Sequence, residues 1–190
     1  MIPISVCIIT KNEAKCLEQC LRALQPYPFE IVVVDTGSTD NSKETARKYT
    51  DKVYDFAWID DFSAARNYAA SCASHDMIFS LDTDEIIRFL DWDALQSTIA
   101  DNPKGIGCIK HLDYFETDSE TKCYEKMLER IYDRNYYHYE RPIHEAIVPT
   151  TSVSYKSYET SVTADHIGYL GDKDTLRHKA ERNLALLKKE

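Results

Sequence analysis

Apolar and polar positions in the first half of the chain alternate between two kinds of run. Pro3 to Thr10 is mostly apolar with β-branched residues, long enough for a buried strand. From Glu13 to Leu24 the large apolar residues Leu17, Leu21 and Leu24 recur at helical spacing, and Pro26 and Pro28 then stop the helix. EIVVVD is a short apolar strand ending on Asp35, and a polar helix from Asn41 to Tyr49 follows its turn. KVYDFAW alternates like a strand, FSAARNYAASCA reads as a small-residue helix, and DMIFSLD is another buried strand ending on an aspartate. DWDALQSTIADN completes the series as a helix with Asp91 at its N-cap. Repeated strand–helix units predict an α/β fold with a mostly parallel sheet covered by helices.

The pattern changes at Gly105. Strands, loops and many tyrosines follow, with no helical period until Asp172, where GDKDTLRHKAERNLALLKKE places Leu176, Ala180, Leu184 and Leu187 on one stripe. The expected organisation is a strand–helix half over about 1–104, a strand-and-loop half over about 105–170, and a terminal helix over 171–190. That helix runs to Glu190 without a capping signal, so a further C-terminal region is expected.

Parallel sheets bind ligands at the carboxyl ends of their strands. Three polar clusters fall at such ends: TKNE after the first strand, DTGSTD after the second, and DTDE after the strand holding Leu81. Asp82-Thr83-Asp84 offers two carboxylates able to share a hard divalent cation; the competing reading is a pair of solvated turn acids. In DTGSTDN, Asp35 can accept from a base or ribose and Gly37 permits close backbone approach, while Asp40 or Ser38 can cap the next helix. Arg66 can counter a phosphate or form an ion pair with Asp60 or Asp61. His144-Glu145 follows Arg141-Pro142, and a carboxylate beside His can act as a general base. His166, just before Gly168, can complete a metal shell or simply pack.

Charge narrows the partners. With 23 basic against 32 acidic residues, the net charge of −9 argues against a nucleic-acid backbone as ligand. A bound diphosphate would therefore need a metal or placed arginines. The first residues lack a basic export signal, no run approaches the ~20 apolar residues that cross a bilayer, and the six cysteines form no CxxC pair. The expectation is a cytoplasmic protein with reduced cysteines.

ITKNEA, EIVVVDTGSTDNSKETA, KVYDFAWIDDFSAARNYA and MIFSLDTDE, in this order, closely resemble bacterial family 2 glycosyltransferases of the GT-A fold, and the resemblance continues through ERIYD, RPIHEAI and HIGY. It implies a Rossmann-like sheet with helices on both faces and a smaller strand-and-loop acceptor region, so that the half over about 1–104 binds the nucleotide and the half over about 105–170 faces the acceptor. It is nearest the branch that moves one sugar onto lipopolysaccharide core, peptides or flagellar proteins. By position, it implies that Thr10, Asn12, Glu13, Asp35, Gly37, Ser38, Arg66, Asp82 and Thr83 line the nucleotide pocket. Asp82, Asp84 and His166 would serve Mn2+ or Mg2+, and Glu145, with His144 beside it, would be the catalytic base. The implied donor is a UDP-sugar, the acceptor a saccharide, peptide or protein, and the place of work the cytoplasm or the inner face of the membrane. Two departures stand out: Tyr139-Glu140-Arg141 replaces a glycine before the base, and the QxxRW segment of processive synthases is absent.

Other classes fit less well. Phosphohydrolases with an aspartyl nucleophile want Thr or Val where Ile86 stands. Nucleotidyltransferases begin with a glycine-rich basic loop, and NAD binding needs GxGxxG. A non-catalytic module would be expected to lose Asp84 or Glu145, and both are present.

Overall fold

The computed structural model describes residues 1–116, 120–150 and 153–168, together with Arg177, Glu181, Leu184 and Leu187. In chain order the elements are β1 (Ile4–Thr10), α1 (Ala14–Leu24), β2 (Glu30–Asp35), α2 (Ser42–Arg47), β3 (Val53–Asp55), α3 (Phe62–Cys72), β4 (Met77–Leu81) and β5 (Glu85–Leu90). There follow α4 (Trp92–Asp101), β6 (Ile106–Glu116), β7 (Thr121–Asp133), β8 (Tyr137–Glu140), β9 (Ala146–Pro149) and β10 (Ser157–His166).

Eight strands form one sheet in the order β3-β2-β1-β4-β7-β6-β10-β5. The first four are parallel neighbours, so the ends of β2, β1 and β4 stand side by side. β7 joins antiparallel to β4 and β6, and β10 runs parallel to β6 but antiparallel to β5. Strands from the second half of the chain therefore extend the sheet begun by the first. Among the described residues, only the β8–β9 hairpin lies outside it.

Strand alternation builds a core on each face. Ile4, Val6 and Ile8 of β1 pack with Leu17, Leu21 and Leu24 of α1 and with Leu95 and Ile99 of α4. Cys7, Val32, Val34 and Ile78 point the other way, onto Ala69 and Ala70 of α3 and onto Tyr137, Tyr139 and Ile147 of the hairpin. The alanines of α3 let the hairpin come close, and Asn67 ties it down through both backbone groups of Tyr139.

Several local expectations change. KVYDFAW forms a strand only over Val53–Asp55, because the chain turns at Asp60 (φ 62°) to begin α3. Asp61 caps that helix by accepting from the Ala64 amide, and Asp60 accepts from the Trp58 indole, so neither partners Arg66. Asp91 caps α4 as expected. Neither Ser38 nor Asp40 is the N-cap of α2, which is Asn41. Asp40 instead accepts from the amides of Ser42 and Ala14, and so serves the starts of two helices from one loop. Beyond residue 168, Arg177, Glu181, Leu184 and Leu187 are helical; the rest of the expected terminal helix, with Leu176 and Ala180, lies outside the described residues.

Candidate active site

The ends of β1 and β2 make one wall. Thr10 and Asp35 are register partners there. Asp35 is wholly buried, and its Oδ1 accepts from the amides of Gly37 (2.9 Å) and Ser38 (2.8 Å). Its Oδ2 and the Thr10 hydroxyl are buried with no hydrogen-bond partner. An orphaned buried polar atom costs about 1–3 kcal/mol, so two at adjacent strand ends mark a place where a ligand's donors would fit. Gly37 holds φ 102° with open space where a side chain would begin. Asn12, itself left-handed at φ 55°, accepts from the amides of Thr39 and Asp40 and donates its own amide to Ser38 Oγ, which locks the first two loops together. Glu13 Oε2 accepts from the Thr83 hydroxyl at 2.9 Å and joins them to the third.

Arg66 lies at the centre. Buried on α3, it donates from Nη2 to Asp82 Oδ1 (2.7 Å), from Nη1 to Ser80 Oγ (3.2 Å) and from Nε to Glu145 Oε1 (2.8 Å). Its guanidinium sits over the Tyr139 ring, 5.4 Å from the centroid. Despite burial, which alone would favour the neutral form, Asp82 and Glu145 hold Arg66 firmly protonated. The other oxygen of Asp82 accepts from Arg130 at 3.1 Å. Both Asp82 oxygens are thus occupied by arginines, whereas Asp84 points elsewhere.

Asp84 faces His166, with Oδ1 3.7 Å from Nε2, longer than a hydrogen bond. Two donors each about 2.1 Å from one cation can span that gap. Gly168 closes the cradle: a Cβ there would lie 2.3 Å from Asp84 Oδ2 and 2.7 Å from His166 Nε2. A side chain at 168 would intrude between carboxylate and imidazole, and a carboxylate facing an imidazole is a donor set that fits a divalent cation. Burial works against charge on His166, but Asp84 and Asp113 outweigh it and raise its pKa. His111, Asp113 and His166 bring their donor atoms within 4.8 Å of one another. Beneath them Glu85 accepts from Arg130 (2.6 Å) and lies 3.0 Å from His111 Nε2.

The sequence profile described as Glycosyl transferase family 2 matches residues 5–162. The chain belongs to that family. A TPR repeat-containing protein of Synechococcus elongatus is 32% identical over 190 residues, covering 96% of this chain and 46% of that protein. The glycosyltransferase AglE of Haloferax volcanii is 33% identical over 95 residues, covering 47% of this chain and 30% of AglE. The chain thus spans under half the length of these relatives. In fold it is similar to S. aureus TarS, at a TM-score of 0.51 and 24% identity over 63% of this chain and 38% of that one. TarS is also known in complex with UDP-GlcNAc.

As a family 2 glycosyltransferase domain the chain has the expected GT-A fold, and the phosphohydrolase, nucleotidyltransferase and NAD-binding readings fall away. The structure brings Thr10, Asn12, Glu13, Asp35, Gly37, Ser38, Arg66, Asp82, Thr83, Asp84, Glu145 and His166 around one line of strand ends. His144 is on the same loop but is exposed, at φ 51°. Arg141, near the position where the family carries glycine, takes φ 81° without one. Such a conformation costs an L-residue about 1–2 kcal/mol, and the loop is held by the Phe62 amide on Pro142 O and the Ser63 hydroxyl on Arg141 O. Sequence reasoning missed Glu85, His111, Asp113, Arg130 and Tyr139. A signal existed for two of them: His111 and Asp113, two apart on a strand, share a face.

Proposed function

We propose that this domain transfers a single sugar, with inversion, from a UDP-sugar to a hydroxyl or thiol of a saccharide, peptide or protein acceptor. The observation that carries this reading is Arg66, which binds Asp82 of the DTD loop and Glu145 of the RPIHE loop at once. A candidate base is thereby held beside the motif expected to meet the donor. Uracil and ribose donors would meet Asp35 Oδ2 and the Thr10 hydroxyl, and the diphosphate would run towards Asp84.

Asp84 and His166 would hold Mn2+ or Mg2+, with Asp82 kept by its arginines for positioning and for ribose. When bound, such an ion neutralises the charge that develops on the departing diphosphate. In a single displacement the acceptor oxygen or sulfur bonds to the anomeric carbon as the bond from that carbon to the diphosphate oxygen breaks. The electron pair leaves with UDP, and the acceptor proton passes to Glu145. Glu145 Oε1 is engaged by Arg66, which leaves Oε2 for the acceptor. The resemblance to the single-sugar branch of the family favours transfer of one sugar over processive synthesis. No helix among the described residues is long and apolar enough to cross a membrane, in keeping with work in the cytoplasm or at a membrane's inner face.

The test pairs donor turnover with donor binding. With Mn2+ present, a nucleotide-sugar panel should give hydrolysis or transfer from a UDP-sugar and none from a plain phosphoester. Glu145→Gln should keep donor affinity yet cut turnover ~100-fold or more. A variant that loses donor affinity and keeps its turnover number would make Glu145 a binding residue and His144 the next candidate.

A further inference from the structure

Four adjacent strands, β7, β6, β10 and β5, carry Tyr124, Asp113, His166 and Glu85 as successive cross-strand partners. Partners directly opposite one another share a face, so Asp113 stands beside His166 by register. Its Oδ1 lies 2.7 Å from His166 Nδ1 and its Oδ2 accepts from Lys126 at 2.7 Å. With the Lys126 ammonium donating to its other oxygen, Asp113 accepts at Oδ1, and His166 Nδ1 carries the hydrogen. In the neutral ring the lone pair then belongs to Nε2, the nitrogen that borders the cradle with Asp84.

His111 bears on the same oxygen. Its Nδ1 is 3.2 Å from Asp113 Oδ1 yet makes no hydrogen bond, and its Nε2 is 3.0 Å from Glu85. Glu85, an acceptor buried against Arg130, takes the Nε2 hydrogen. The hydrogen bond at Asp113 Oδ1 therefore belongs to His166 and not to His111. The ring stacks near His166, with centroids 4.8 Å apart, and limits how far that imidazole can turn.

We propose that Asp113 is a positioning residue for the cation site: it selects the Nδ1–H form of His166 and so aims the Nε2 lone pair at the space shared with Asp84. Lys126 engages Oδ2 of Asp113 and leaves Oδ1 to His166. The inference rests on His166 being a metal ligand, as proposed above, and its test separates the two claims.

Nitrogen NMR of the metal-free protein at alkaline pH reads the His166 tautomer, and manganese EPR on the same protein reads Mn2+ affinity. Wild type should show Nδ1–H. Asp113→Ala should lose that tautomer and bind Mn2+ ~10–100-fold more weakly, the usual effect of removing an outer-shell partner. Asp113→Asn, which keeps an accepting oxygen, should recover much of both. An Nε2–H wild type would overturn the proposal, as would a folded Asp113→Ala with unchanged tautomer and Mn2+ affinity. So would a loss of Mn2+ affinity that only follows a fall in melting temperature equal in both variants. If wild type binds no Mn2+ at all, the metal reading fails, and the tautomer still decides what Asp113 does.

Discussion

Asp35 shows how much one side chain can reveal. One oxygen shapes the turn into Gly37 and Ser38, and the other is buried without a partner. If a nucleobase donor satisfies Oδ2, Asp35→Ala should weaken UDP binding by about 1–3 kcal/mol in calorimetry, the range for a charged hydrogen-bond partner. Unchanged affinity, or equal binding of UDP, GDP and CDP by wild type, would remove Asp35 from base recognition. Residues of this kind were legible in the sequence because each closes an apolar strand: Thr10, Asp35 and Asp82 all follow buried runs. What could not be read was the pairing. Arg66 is 16 residues from Asp82 and 79 from Glu145, and Asp60 and Asp61 were nearer in sequence. Helix capping claims Asp61, which removes it as a partner for Arg66.

At the level of elements, the parallel half of the sheet followed from its periodicity and the later half did not. EIIRFL was not recognised as a strand because it follows DTD without a turn signal and alternates only weakly. β7 carries a polar, exposed first half and a buried second half, a mixture without a clear period. Its insertion beside β4 brings Arg130 onto Glu85 and Asp82. Burial alone would raise the Glu85 pKa, but Arg130 and His111 overcome it and depress the group to about 2. A depressed carboxylate contributes stability above its unfolded pKa, near 4.5, and loses that contribution as pH falls through the folded value. Glu85→Gln should therefore destabilise the domain at neutral pH by about 3 kcal/mol, the lower end for breaking a buried pair, because Arg130 keeps Asp82. The gap between wild type and variant should shrink as denaturation is followed from pH 5 towards about pH 2. A constant gap across that range would mean that Glu85 stabilises the fold without its charge.

Across the described residues, the two parts of the chain meet along one line of candidate site residues. The groups proposed to meet the nucleotide sit at the ends of β1 and β2, Asp82 and Asp84 follow β4, and β10 delivers His166 from the far side of the sheet. Family membership and fold rest on the profile match and the sheet; the reaction rests on whether the Asp84–His166–Gly168 cradle holds a cation that the donor's diphosphate shares. Calorimetric titration of UDP with and without Mn2+, for wild type and Asp84→Ala, measures that linkage directly. The account predicts that Mn2+ tightens UDP binding to wild type by at least about tenfold, or 1.4 kcal/mol. Asp84→Ala should bind UDP as the metal-free wild type does and gain nothing from Mn2+. Wild-type affinity that is the same with and without Mn2+, or an Asp84→Ala variant that Mn2+ strengthens as much as wild type, would contradict it.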